Sequence, residues 1–229
     1  MSAIYLLLNL FTLSYPLYKS FDKRVNYYGK WRFIGTSIVV VGTFFIIWDH
    51  VFTIRGVWSF NPDYLLGIYF LSLPLEEWLF FLTVPFACVF IHEVLKYFVK
   101  SDPLNKFSKA ITFSLIVLFI LLAFSNLERQ YTFVNFLVGA LTLAVHWVVF
   151  GNKHLGRFYL TYFVHLIPFL LVNGVLTALP VVEYNNMENL GIRLFTIPIE
   201  DTVYSMSLLF MNLSIYEYLL SKSKMKPHH

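Results

Sequence analysis

The chain has a single cysteine, Cys88, in 229 residues. It can therefore form no internal disulfide and no thiolate metal cluster. Neither a Gly-x-Gly-x-x-Gly stretch nor a Walker loop is present, which argues against a conventional nucleotide or flavin site. There is no pair of Asp-rich motifs of the kind that hold magnesium pyrophosphate, and the last apolar run has no lysine for a retinal Schiff base. Charge is scarce, at 13% of residues with a formal net charge of +4. The basic residues are scattered over short connections rather than gathered on one aromatic-bearing face, so no nucleic-acid partner is expected. What these absences leave is acid–base chemistry on something that dissolves in a membrane.

Apolar residues are abundant: hydrophobic side chains make up 58% of the chain, and the mean hydropathy is +0.67. Apolar runs recur at Ser2–Tyr18, Phe33–Phe52, Leu75–Phe98, Ala110–Phe124, Tyr131–Phe150, Phe158–Leu179 and Ile199–Leu220. A helix needs roughly 20 such residues to cross hydrocarbon, so the pattern predicts an all-α integral membrane protein with about seven transmembrane helices, the first and fourth short. The first run has no basic leader and no small-residue cleavage site, so it reads as a helix rather than a signal peptide. Tyr64–Leu73 is too short to span and is expected to lie at the interface or to re-enter.

Lys and Arg concentrate in the first, third and fifth connections and in the tail (Lys222, Lys224, Lys226); only Arg55, Arg129 and Arg193 fall on the other side. The positive-inside rule then puts the N-terminus outside and the C-terminus in the cytoplasm of a cell-membrane protein. Most acidic residues gather at the opposite, outer ends.

The most informative pattern is a repetition. Leu66-Gly67-Ile68, then Leu73-Pro74-Leu75-Glu76-Glu77, returns as Leu190-Gly191-Ile192, then Ile197-Pro198-Ile199-Glu200-Asp201. One constant offset, the 124 positions from Glu76 to Glu200, also aligns Phe60-Asn61 with Tyr184-Asn185, Asp49 with Asn173, and Ile91-His92-Glu93 with Ile215-Tyr216-Glu217. Such matching predicts a duplicated unit of roughly 100 residues. The expected organisation is two parallel three-helix repeats, 1–106 and 128–229, joined by a linking helix within 107–127.

Each copy carries a Pro-x-acid-acid step at the mouth of an apolar helix. Proline suits a first helical turn, where its missing N–H is unpaired anyway, and acids there face the positive end of the helix dipole. First-turn acids often serve only as caps, but finding the pair twice favours a chemical role. Several carboxyls grouped in low dielectric cannot all ionise. A protonated one can donate while an ionised neighbour accepts. The candidate catalytic residues are therefore Glu76, Glu77, Glu200 and Asp201. Asp49, Asn173, Asn61, Asn185, Trp58, Trp78 and Tyr204 are candidate supporting or substrate-binding residues. His146 and His165, well inside their runs, read as structural histidines.

At these residues the chain resembles the integral-membrane carotenoid cyclases with a duplicated lycopene cyclase domain, in the fused two-copy form. The resemblance rests on Trp48-Asp49, Trp58-x-Phe60-Asn61, Pro74-Leu75-Glu76-Glu77, Asn173-Gly174-x-Leu176-Thr177 and Pro198-Ile199-Glu200-Asp201, and it covers nearly the whole chain. It implies a lycopene β-cyclase, an intramolecular lyase or isomerase that closes the ψ-ends of lycopene to β-ionone rings, giving β-carotene by way of γ-carotene. The implied partners are lycopene and membrane lipid, with no cofactor and no metal. A proton-coupled carrier, with the acid pairs as relay groups, is the alternative that intramembrane carboxyls and parallel repeats also suit.

Overall fold

The computed structural model describes residues 3–224, so Ser2 of the first apolar run and Lys226 of the tail lie outside the described residues. Seven α-helices account for the described chain: α1 (Ile4–Lys19), α2 (Trp31–Ile54), α3 (Leu75–Phe98), α4 (Asn105–Phe124), α5 (Gln130–Phe150), α6 (Leu155–Ala178) and α7 (Ile199–Lys224). Five of them, α2 to α6, are long and apolar enough to cross a membrane. These helices mark a membrane protein.

The two that fall short do so for different reasons. With 16 residues, α1 rises only about 24 Å. α7 is long enough but polar, with Ser207 and Asn212 fully buried and Glu217 nearly so. It packs on α5, α2, α3 and α6, so its side chains meet protein, where hydroxyls and amides find partners that lipid does not offer. α4 begins five residues ahead of its apolar run, since its first five residues include Lys106 and Lys109.

Short strands tie the halves together. β1 (Trp58–Phe60), after α2, pairs antiparallel with β4 (Val182–Tyr184), after α6, in the register Trp58 to Tyr184, Ser59 to Glu183 and Phe60 to Val182. Beyond the strands, Asn61 N–H donates to Val181 O (3.0 Å), and Asn185 N–H donates to Val57 O (2.9 Å). Each contact is the other's counterpart under the sequence repeat, which is the geometry of a two-fold axis passing between Ser59 and Glu183. The starts of α3 and α7, and with them the two acid pairs, therefore sit at the same end of the bundle.

Each helix start is roofed by a two-stranded hairpin. β2 (Tyr69–Phe70) pairs with β3 (Leu73–Pro74), and β5 (Arg193–Leu194) with β6 (Ile197–Pro198). The stretch expected at the interface, Tyr64–Leu73, supplies the first of these roofs. Pro74 stands one residue before the first helical turn, as the extended cap of α3.

At the opposite end, ion pairs hold the bundle. Glu217 accepts from His92 Nε2 (2.8 Å) and Lys96 Nζ (2.6 Å), while Glu93 accepts from Lys96 (2.8 Å) and from Lys30. α4 lies outside this two-fold arrangement, against α5 and α6.

Candidate functional site

The glycine of each Leu-Gly-Ile step explains why the motif is there. Gly67 has φ +79° and Gly191 φ +73°, a left-handed conformation that costs residues with a Cβ. The resulting bend folds the roof back over the first turn. Leu66 N–H donates to Glu76 Oε1 (2.6 Å) and Leu190 N–H to Glu200 Oε1 (2.7 Å). Asn9 Nδ2 donates to the Glu76 carbonyl (3.0 Å) and Asn135 Nδ2 to that of Glu200 (2.6 Å). Thr132 adds a second donor to Glu200 Oε1, at 2.7 Å. Glu76 and Glu200 are fully buried, and the Oε2 atom of each has no hydrogen-bond partner among the described residues. The first acid of each pair is thus tied into the roof.

Adjacent helical residues point about 100° apart, and the second acids face elsewhere. Glu77 accepts from the Tyr5 hydroxyl, and Asp49 accepts from Tyr204 at 3.1 Å. Asp49 and Glu77 are both buried and line one cavity, where two neighbouring carboxyl groups cannot both ionise. Asp201 accepts from Tyr131, from Tyr184 (2.8 Å) and from Asn173 Nδ2 (3.0 Å).

Both second acids open onto one cavity of about 450 Å³ between the halves. Asp49, Trp58, Tyr131, Asn173, Tyr184 and Tyr204 share its upper wall. Below them it becomes a groove along α1, α3, α6 and the near face of α7, lined mostly by aliphatic and aromatic side chains, with Thr12, Ser14, His165 and Ser205 among them. On α3 the lining runs from Glu77 to Leu95, about 27 Å at 1.5 Å per residue.

The remaining candidates lie outside the cavity. Trp78 donates its indole N–H to Phe70 O (3.3 Å) in the roof. Asn61 and Asn185 organise turns, each accepting at 3.0 Å from a backbone N–H two residues on, Asp63 and Met187. Tyr5, Tyr131 and Tyr184 escaped the reading of the sequence although they bond directly to the acids. A signal existed for two of them: Tyr5 and Asn9 recur as Tyr131 and Asn135 with the same four-residue spacing. The longer connection between α1 and α2 shifts them off the constant offset.

His165 also lines the groove. Its Nδ1 lies 3.3 Å from Cys88 Sγ, and its Nε2 has no hydrogen-bond partner among the described residues. The other grouping with ligand chemistry is at the far end, where His92, Glu93 and Glu217 bring ligand atoms within 4.8 Å of one another. Lys30 and Lys96 already neutralise both carboxylates there, so the cluster reads as a structural ion-pair lock.

No curated protein and no solved structure matches the chain. The lycopene cyclase family model does, in two segments, residues 2–95 and 128–219, so that each match ends on one copy of α1–α3 or α5–α7. Family membership implies an enzyme acting on a lipid-soluble carotenoid, and the apolar groove beneath paired acids suits such a substrate. On the strength of a match over both halves, the chain belongs to the lycopene cyclase family.

Proposed function

We propose that the protein is a lycopene β-cyclase that closes the ψ-ends of lycopene to β-ionone rings without net redox change. One observation carries this reading: Glu77 and Asp201, one acid from each half, meet at the head of a single long apolar groove. Cyclisation begins with a proton added at C2 of the terminal alkene, giving a cation at C1. The C5–C6 alkene attacks it, and a proton then leaves C6. The reaction needs an acid, a base, a dry cavity and ring faces to steady the cation. Trp58, Phe80, Tyr131 and Tyr184 line the cavity around the acids. Each hydrogen gained at C2 is balanced by one lost at C6, so the class is intramolecular lyase or isomerase and the chemistry is complete with carboxyl groups alone.

Two ends and one groove mean that the ends are processed in turn, by way of γ-carotene. Entry is lateral from lipid, because the substrate is insoluble in water. Glu76 and Glu200 support the second acids by fixing the roofs from which the helices start.

In this reading all seven helices cross the membrane, with local thinning of the bilayer accommodating the short α1. The repeats are parallel, 1–106 and 128–229, with α4 as the linking crossing within 107–127. The acid pairs lie toward the outer face of the cell membrane, and the C-terminus is cytoplasmic. Reporter fusions should put the Lys23 connection inside and the Asn61 and Asn185 loops outside. A cytoplasmic Asn185 loop would break the parallel arrangement. A carrier would need polar stepping stones through the bilayer, and the mostly aliphatic and aromatic lining of the groove favours the enzyme.

The decisive experiment expresses the chain in a bacterium that accumulates lycopene. A red-to-orange change with β-carotene in the extract is the expected result. Glu77→Gln and Asp201→Asn should each lower ring formation by about 10²–10⁴-fold, the usual worth of a positioned acid or base. Glu76→Gln and Glu200→Gln should lower it too, through displaced roofs. Full β-carotene yield from all four variants would sink the assignment.

A further inference from the structure

The two acid centres occupy equivalent positions, yet their surroundings differ. Three donors converge on Asp201: the hydroxyls of Tyr131 and Tyr184 and the amide of Asn173. None of them is a carboxyl group, and hydrogen bonds donated to a carboxylate favour its ionised form. Burial, reinforced by the Asp201 charge, holds the Tyr184 phenol well above its ordinary range, so this hydroxyl remains a donor. In the first half the position of Asn173 is taken by Asp49. Asp49 and Glu77 are both buried and line the same cavity, at the positions equivalent to Asn173 and Asp201, and two carboxyl groups placed this way in low dielectric cannot both ionise. Tyrosine hydroxyls donate to the first centre as well, so the difference is the second carboxyl: the second centre holds one acid among neutral donors, and the first holds two acids that share a proton.

Resting on the cyclase reading above, we propose that Glu77 is the proton donor, held loaded by Asp49, and that Asp201 is the base whose position selects the ring isomer. The Glu77 O–H bond breaks as the terminal alkene's electron pair forms the C2–H bond, leaving a Glu77 carboxylate and a cation at C1. The C5–C6 pair then forms the C1–C6 bond, which moves the cation to C5. Asp201 removes the C6 proton, and the C6–H pair becomes the ring alkene. One proton enters and one leaves. The site is reset when the proton on Asp201 returns to the Asp49–Glu77 pair across the cavity that all three line. A cation at C5 could equally lose a proton from C4, giving an ε-ring, or from its methyl group, giving an exocyclic alkene. Only the placement of the base decides for C6. Asp49 is a positioning residue, since it acts through Glu77.

The assignment predicts opposite phenotypes for two isosteric changes in the full chain. Asp49→Asn copies the second centre onto the first. It should slow turnover of lycopene by about 100-fold, the lower range for a lost general acid, while the product remains a β-ring. Asp49→Glu should restore most of the rate. Asp201→Asn should change the product, with residual turnover diverted to ε-ring, exocyclic or hydrated carotenoids. A readout without substrate runs in parallel: the infrared carbonyl stretch of a neutral carboxyl in purified protein. One such band should vanish in Asp49→Asn and persist in Asp201→Asn. The roles are overturned if Asp49→Asn diverts the product while Asp201→Asn only slows it, or if the band is lost in Asp201→Asn alone. A wild-type protein that forms no ring from lycopene would refute the cyclase reading, and the infrared comparison would still decide which centre holds the proton.

Discussion

The two halves of the molecule share a scaffold and differ in what they enclose. In the first half, Phe45 and Trp48 of α2 are buried and pack against Tyr204 of α7, filling the space beneath the roof. The counterpart of Trp48 in α6 is Val172, and on that side the groove is open. The same contrast appears in proline. Pro16, Pro85 and Pro168 lie inside α1, α3 and α6, and all three line the groove. Their counterparts in α5, α7 and α2 are Thr142, Leu209 and Phe44. A proline inside a helix removes a backbone hydrogen bond and pushes against the preceding turn, which opens space that a regular helix closes. In the proposed cyclase, duplication thus supplies two acid centres, and divergence leaves one groove to serve both.

The largest expected effect breaks the halves apart. If they share one site, fragments 1–106 and 107–229 should each be inactive alone and should recover activity when co-expressed, since small helical units can reassemble in lipid. β-Carotene from either fragment alone would show that each half owns a complete site.

A smaller effect tests the open side. Val172→Trp installs in the second half the side chain that fills the first, and it should cut turnover by about 100-fold by displacing the reacting end. The reverse change, Trp48→Val, removes a buried ring and should cost about 3 kcal/mol, read by chemical denaturation in detergent. If Val172→Trp leaves turnover unchanged, the substrate does not use this groove.

Much of this was legible in the residues. The acid pairs, the Asp49–Asn173 correspondence and the helical content follow from spacing and hydropathy, because each depends on a few contiguous turns. The division of labour within a pair was not legible. Glu76 and Glu77 look interchangeable in a string, and only the bend at Gly67 shows that the first is tied to Leu66 while the second faces the cavity. Tyr5 and Tyr131 were hidden by the length of one connection. The asymmetry between Trp48 and Val172 is a single large-to-small change, whose meaning depends on which neighbours could have filled the gap. α7 matched a spanning run by length, but its buried Ser207 and Asn212 follow from its place among four other helices, which hydropathy does not report.

The smallest effect concerns the two roof glycines, where the halves should behave alike. A Cβ added at Gly67 or at Gly191 would meet nothing within 4 Å. The cost of Gly67→Ala and Gly191→Ala is therefore backbone strain alone, about 1–2 kcal/mol for a left-handed residue with a Cβ. Relief of that strain would rotate the Leu66 or Leu190 N–H away from the buried carboxylate it serves, so each variant should lose some activity along with stability. Equal losses in both variants, measured by denaturation in detergent and by β-carotene yield, would show that the roofs kept one function after duplication. A loss confined to Gly67→Ala would place the asymmetry in the roofs as well as in the groove, and would make Glu76 more than a support for its neighbour.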